Sequence, residues 1–291
     1  MMKVAITGST GFVGGNIAES LAQLGFEVVG LARNVVELPW EVRVVDFQDT
    51  ESITAGLVGC DAVIHCAIHN DFNKLVNDRI YAYDSYVGLT QRVTKAANKT
   101  GAQIIYISSD WIMDGTGHFT KESDPGNPIN LYGALKMLGE QVIRDLAPDT
   151  GAICRIGGVM GLHRTKKEMP RGQDVGFGYF VASIVQTIRE GKDFVVWIGD
   201  KVNKIATPSL ASEIGAEIAR IIDKKIVNGI PTYTVSKDLT DAQTHKKEGL
   251  CLTPANSKHY VILREDADVY TEDGKVLLRF RKNVLPKKDM D

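Results

Sequence analysis

Tyr132 and Lys136 stand four residues apart in the stretch Asn127-Pro-Ile-Asn-Leu-Tyr-Gly-Ala-Leu-Lys-Met-Leu-Gly-Glu140. On a helix that spacing puts both side chains on one face. A phenol beside an ammonium is expected to favour phenolate, which makes the tyrosine a better acid–base group near neutral pH. Spacing alone does not decide the matter, because Tyr233 and Lys237 repeat it. There the run Thr232-Tyr-Thr-Val235 is rich in strand formers. Four residues along a strand span about 13 Å, too far for the two groups to cooperate. Around Tyr132, Leu131, Leu135, Leu138, Val142 and Leu146 recur at helical spacing. The pair is therefore expected beside a buried stripe.

The elements that must position this helix alternate along the chain. Lys3–Thr7 reads as a strand, and Phe12–Leu24 as a helix with Val13, Ile17, Leu21 and Leu24 on one face and Gly25 as its stop. Further strands are expected at Glu27–Ala32, Arg43–Asp46, Asp61–Cys66, Gln103–Ser108 and Ala152–Ile156, with helical patterns between them. Apolar runs such as Ala62-Val-Ile64 and Ile104-Ile-Tyr-Ile107 suit strands covered on both faces. The fold class is α/β, an open, doubly wound parallel sheet.

The first strand-to-helix turn is Thr7-Gly-Ser-Thr-Gly-Phe-Val-Gly14. Glycines at 8, 11 and 14 let the backbone turn tightly, approach a pyrophosphate and pack the helix on the sheet, with the helix N-terminus facing the phosphates. At the end of the second strand, a site for NAD usually carries an acidic residue for the ribose hydroxyls. This chain has Ala32-Arg33-Asn34 instead. A guanidinium there can fork onto a 2′-phosphate, which favours NADP, or it can be a solvated loop arginine.

Composition sets the outer bounds. The chain has 291 residues, is 44% hydrophobic and carries a formal charge of −2, enough for one large α/β domain or a domain plus a lobe. No apolar run approaches the roughly 18 residues of a membrane span. The chain enters a strand-like segment at once, which leaves no room for a signal peptide. The near-neutral balance argues against a nucleic-acid or anionic-membrane surface. Cys60, Cys66, Cys154 and Cys251 are scattered without metal spacing. They read as reduced thiols of a cytoplasmic protein with no metal site.

With these motifs in place, the chain resembles the extended short-chain dehydrogenase/reductases. Within that superfamily it is most similar to the dTDP-4-dehydrorhamnose reductases, over about residues 3–235. The glycine turn matches the cofactor turn. Val45-Asp46-Phe-Gln-Asp49 resembles the segment near the adenine, and Val63-Ile-His-Cys-Ala67 the fourth-strand end that passes the cofactor. Ile107-Ser-Ser-Asp-Trp-Ile-Met-Asp-Gly115 resembles the reductase segment ending in Asp-Gly, and Asn130–Glu140 its catalytic helix. Ala206-Thr-Pro-Ser-Leu-Ala211 resembles the segment before the last major helix.

The resemblance implies a Rossmann-type domain over 1–156, a small substrate-binding lobe over 157–236 interleaved with it, and an unassigned tail over 237–291. It implies NADP as cofactor, with NAD as the alternative. Gly8, Thr10, Gly11, Phe12, Val13, Gly14, Arg33, Asp46, Phe47, Cys66 and Ala67 would line the cofactor, together with Tyr132 and Lys136. Hydride would pass to a sugar ketone carbon of a nucleotide-linked substrate. Tyr132 would give the alkoxide its proton, Lys136 would keep that tyrosine acidic and hold the nicotinamide ribose, and Ser109 would polarise the carbonyl. A turn or helix cap is the other reading of Ser109.

Three departures from the family pattern matter. Asp110 is followed by Trp111, so the acidic pair of the nucleotide-sugar dehydratases is absent. The reductases usually carry tyrosine at the Trp111 position, so Trp111 either stacks on sugar or base or merely packs. Ser85 aligns with an asparagine of the superfamily, which leaves a proton relay there in doubt.

On the substrate side, His163-Arg-Thr-Lys-Lys167 and Arg171 make a basic loop, either a flap for a diphosphate or a solvated loop. Phe177–Arg189 reads as a helix, Phe194–Ile198 as a strand and Ser209–Ile222 as a helix, with Phe180 and Trp197 as core. In the tail, Asp273-Gly274 reads as a hairpin turn. Two other functions remain open: an epimerase with bound NAD, and a non-catalytic NADP-binding subunit like the regulatory subunit of methionine adenosyltransferase. A homodimer is left open as the assembly.

Overall fold

The computed structural model describes residues 1–69, 71–115, 120–164, 188–191, 209–223, 232–235, 250–251, 268–270 and 276–279. Strands β1 (Lys3–Thr7), β2 (Glu27–Ala32), β3 (Glu41–Val44), β4 (Ala62–His65), β5 (Gln103–Ser109) and β6 (Gly151–Ile156) form one sheet with β9 (Thr232–Val235). The order is β3-β2-β1-β4-β5-β6-β9. Every pairing in it is parallel. Order reverses between β1 and β4, which opens a crevice at their carboxyl ends, where such sheets bind ligands. Thr232–Val235 is the seventh strand, so Tyr233 lies on a strand, as its run of strand formers predicts.

Alternation along the strands builds two cores, one on each face. Val4, Ile6, Ile64, Ile105, Ile107 and Cys154 pack with Ile17 and Leu21 of α1 (Phe12–Gln23) and with Ile214 and Ile218 of α7 (Ala211–Asp223). Ala5, Val29, Leu31, Val63, Ile104, Tyr106 and Ile153 face the other way. They meet Ile53 and Leu57 of α2 (Thr50–Leu57), Val93 of α5 (Leu89–Thr100) and Ile143 of α6 (Leu131–Leu146). Burial on both sides explains why these strands read as continuous apolar runs.

Local chemistry sets the helix ends. The Asp49 carboxylate accepts from the backbone N–H groups of Glu51 and Ser52 at the start of α2. Asp71 and Asp78 cap the short helices α3 (Phe72–Asn77) and α4 (Arg79–Tyr83) in the same way. Gly101, at φ +74°, closes α5 in the left-handed conformation. Two positions differ from the sequence pattern: Leu24 is 54% and Leu138 41% exposed. The rest of the α6 stripe holds, with Leu135 and Val142 buried and Leu131 and Leu146 packed against them. Lys136, Gly139, Glu140 and Ile143 extend the buried face.

A two-stranded parallel pair joins β7 (Val159–Met160) to β8 (Ser209–Leu210). The chain divides into two compact units: 1–196 with 209–236, and 197–208 with 237–291. Within the second, β10 (Leu250–Cys251), β11 (Asp268–Tyr270) and β12 (Val276–Arg279) form a three-stranded sheet in which β11 and β12 are antiparallel. Asp273-Gly274, Phe194–Ile198 and almost all of Phe177–Arg189, with Phe180 and Trp197, lie outside the described residues. Among the described residues no helix is long and apolar enough to cross a membrane.

Candidate functional site

The glycine turn forms a cradle too tight for side chains. Gly8 has φ +72°, and a Cβ there would lie 3.1 Å from Cα and N of Ala67. A Cβ on Gly14 would lie 2.3 Å from the Gly8 carbonyl oxygen. The Gly11 N–H donates back to Gly8 O at 2.9 Å. The exits of β1 and β4 thus touch at Gly8 and Ala67, at the head of α1. Its N-cap, Gly11, has no side chain to satisfy the first N–H groups. Such a free helix start suits the diphosphate of a dinucleotide. Phe12 and Val13 are partly buried in this first turn, and Thr10 beside them is half-exposed.

Around the adenosine side, Arg33 is exposed just past β2. The exposed Asp46 accepts a hydrogen bond from Gln48 N at 2.8 Å. Arg92 Nε donates to Phe47 O at 2.8 Å, while its other nitrogens hold Asp84 at 2.7 and 3.2 Å. These contacts fix the Asp46–Phe47 segment from behind. Cys66 and Ala67 receive the backbone anchor of Thr7 Oγ1, which accepts from both of their N–H groups at 3.1 Å.

The candidate reacting groups Ser109, Tyr132 and Lys136 lie around the carboxyl end of β5. Asn130 caps α6, its Oδ1 accepting from Gly133 N at 2.8 Å. The helix then presents Tyr132 between two rings, edge-on to Trp111 at 5.6 Å and to Tyr86 at 6.0 Å. Ser109, 6% exposed, lies beside the Tyr132 side chain and lowers the pKa of its phenol. Its Oγ also donates to Asp110 Oδ1 at 3.1 Å and accepts from Trp111 N at 3.2 Å. Ser109 is therefore both the cap of the short turn Asp110–Ile112 and a neighbour of the tyrosine.

Lys136 is 3% exposed. Its Nζ donates to Ile107 O at 2.7 Å and lies 4.8 Å from the Tyr106 ring centroid. Burial pulls its pKa down to about 8, against the influence of Cys66 and Glu140. The Tyr132 phenol moves the other way. Burial pushes it up to about 12, Ser109 opposes this and Asp110 adds to it. The expectation of a phenol made more acidic by its lysine is thus corrected: Lys136 is not among the groups that shift it, and removal from water raises its pKa. At neutral pH the phenol keeps its proton, which is the state a proton donor requires.

Several features escaped the sequence reading. Glu140 and Arg155, 3% and 5% exposed, form a buried ion pair behind Tyr132 and Lys136. The signal was a charge inside the apolar strand Ala152–Ile156. Ser85 is buried in a π-helical turn, Asp84–Gly88, at the head of α5. Such turns are frequent at functional sites. His65 lies buried between Thr7 and Thr90. Trp111, 39% exposed, packs edge-to-face with the tyrosine.

Part of the basic loop is accounted for: Arg164 binds Asn16 Oδ1 at 3.0 Å and Glu19 at 2.7 Å, which ties it to α1. Arg171 and Lys166–Lys167 lie outside the described residues. Among the described residues no cluster of potential metal ligands occurs.

Comparison with known proteins agrees with this architecture. The chain is 28% identical over 152 residues to the dTDP-4-dehydrorhamnose reductase of Salmonella typhimurium, covering 50% of this chain and 48% of that one. It is 31% identical over 142 residues to the methionine adenosyltransferase 2 subunit beta of Bos taurus, covering 48% and 42%. The chain thus spans about half the length of these two curated relatives or less. A solved dTDP-4-dehydrorhamnose reductase from Bacillus anthracis, in complex with NADP, superimposes with a TM-score of 0.64 at 21% identity, over 81% of this chain and 75% of that one. The model of the RmlD substrate binding domain matches residues 2–171. With more than half of its length matched, the chain belongs to the RmlD substrate binding domain family.

Proposed function

We propose that this chain is an NADP-dependent reductase of a nucleotide-linked 4-keto-6-deoxy sugar. The observation that carries the reading is the placement of Ser109, at the carboxyl end of β5, beside Tyr132, with buried Lys136 one turn further along the same helix. A bound nicotinamide dinucleotide would supply the hydride. The Gly8–Gly14 cradle would hold its diphosphate, and Arg33 would meet the 2′-phosphate. Ser109 would orient and polarise the C4 carbonyl. Tyr132 would deliver its proton as the alkoxide forms. Lys136, anchored on Ile107 O, would keep positive charge beside the phenolate left behind. Trp111, 39% exposed beside Tyr132, is where a sugar would lie.

The test is a panel of 4-keto sugar nucleotides, beginning with dTDP-4-dehydrorhamnose, followed by NADPH absorbance. Turnover on one member is the expected result. Failure on all of them rejects the reading. A second reading draws on the similarity to the methionine adenosyltransferase subunit. It predicts NADPH binding without turnover and a stable complex with a methionine adenosyltransferase. Retention of Ser109, Tyr132 and Lys136 together weighs for the enzyme, since a scaffold has no need of all three.

A further inference from the structure

We propose that His65 is a positioning residue, which couples the dinucleotide turn at one end to the wall of the catalytic tyrosine at the other. His65 closes β4, paired in register with Thr7 of β1, and is 2% exposed. Its Nδ1 lies 2.8 Å from Thr7 Oγ1 and its Nε2 3.1 Å from Thr90 Oγ1.

The direction of each hydrogen bond follows from counting protons. Thr7 Oγ1 already accepts from the N–H groups of Cys66 and Ala67, both at 3.1 Å. A hydroxyl has two acceptor sites and one proton, so that proton goes to His65 Nδ1. At the far end, Thr90 Oγ1 donates its own proton to Tyr86 O at 2.7 Å. It therefore accepts from His65, whose proton sits on Nε2. The imidazole is neutral and held in one tautomer, and every hydroxyl in the chain points the same way.

The two ends of this chain lead to the two halves of the site. On one side, Thr7 holds Cys66 and Ala67, and Ala67 backs directly onto Gly8. On the other, Tyr86 sits in the π-helical turn, packs edge-on against Tyr132 and lies under Lys136 Nζ at 5.9 Å. Any buried imidazole needs partners for its two nitrogens, and what sets His65 apart is where those partners lead. This one joins the cradle of the cofactor to the ring that braces the tyrosine.

The two halves separate experimentally. Asparagine places an amide oxygen near the Nδ1 position and keeps the Thr7 link. Glutamine places an amide nitrogen near Nε2 and keeps the Thr90 link. His65→Asn should bind NADPH within about threefold of wild type by fluorescence titration, while kcat at saturating NADPH falls about tenfold. His65→Gln should bind NADPH about tenfold more weakly with kcat within about threefold, one hydrogen bond being worth about a factor of ten.

The isosteric pair Thr7→Val and Thr90→Val makes the same split if the histidine variants do not fold. The catalytic half rests on the reductase reading. The NADPH affinities do not, so they decide the proposal even if no sugar is turned over. Equal losses of affinity in His65→Asn and His65→Gln, in step with Tm, would overturn it. So would wild-type affinity in His65→Gln and Thr7→Val.

Discussion

Arg155 grips Glu140 with two nitrogens, Nε on Oε1 at 2.9 Å and a terminal nitrogen on Oε2 at 2.8 Å. Ser108 Oγ donates to the same carboxylate at 2.6 Å. Arg155 also donates to Glu122 O at 3.1 Å. One buried carboxylate thus joins β5, β6, α6 and the segment that follows β5, and it sits one turn beyond Lys136. A cleft of about 620 Å³, lined in part by Glu122, Met137, Arg144 and Arg155, opens beside it.

Removing one partner of such a pair leaves an uncompensated charge in the interior. Glu140→Ala should destabilise the protein by about 3–5 kcal/mol in urea unfolding. Glu140→Gln keeps the shape and one acceptor, so it should recover part of that loss. If Glu140→Ala unfolds at the wild-type denaturant concentration, the pair does not hold the helix.

Gly133 is a tight point of α6. A Cβ there would lie 2.0 Å from the Trp111 carbonyl oxygen and 3.0 Å from Pro128 Cβ. Alanine normally gains about 1 kcal/mol over glycine in a helix. Here the contact is with backbone, which cannot rotate away, so overpacking wins at about 1–3 kcal/mol. Gly133→Ala should lower Tm and, by pushing Trp111 and hence Ser109, should lower kcat more than the NADPH affinity. A rise in Tm would show that the segment yields freely.

The sheet was legible because its strands are short, apolar and separated by amphipathic helices, so pattern and fold coincide. The glycine turn was legible because backbone contact leaves no alternative residue there. What the sequence hid were interactions between distant residues. Glu140 and Arg155 look like surface charges until β6 brings them together. Thr7, His65 and Thr90 share no spacing, since they meet only through the β1–β4 register and the packing of α5. The Tyr132 phenol was misjudged for the same reason. Its neighbour Lys136 is visible at i+4, but the Trp111 and Tyr86 rings that take it out of water come from other elements.

His65 also predicts an acid dependence of stability. Burial, with the charge of Lys136 adding to it, pulls the folded-state pKa down from 6.5 to about 3. Between these values the unfolded chain takes up a proton that the native protein refuses. Stability contributed by the neutral ring is complete above the unfolded pKa and is lost as the pH falls below it. From pH 7.5 to 4.5 the loss should be about 2–3 kcal/mol. His65→Asn removes the titrating group, so its unfolding free energy should fall by that much less over the same interval. Parallel pH curves for the two proteins would refute the assignment of a neutral buried imidazole.

Tyr132→Phe separates the chemistry from the fold. Phenylalanine keeps the ring that packs edge-on against Trp111 and Tyr86, and loses only the hydroxyl beside Ser109. Stability should change by no more than about 1 kcal/mol, the net worth of one hydrogen bond. Proton delivery by a positioned side chain is worth about 10²–10⁴ in rate, so kcat should fall by that factor, with NADPH affinity unchanged. Ser109→Ala should lower kcat as well, and should leave the phenol pKa higher still, because Ser109 is the contact that opposes burial. A Tyr132→Phe protein that reduces the ketone at the wild-type rate would remove the proton donor from the mechanism and, with it, the reason for a tyrosine at this place.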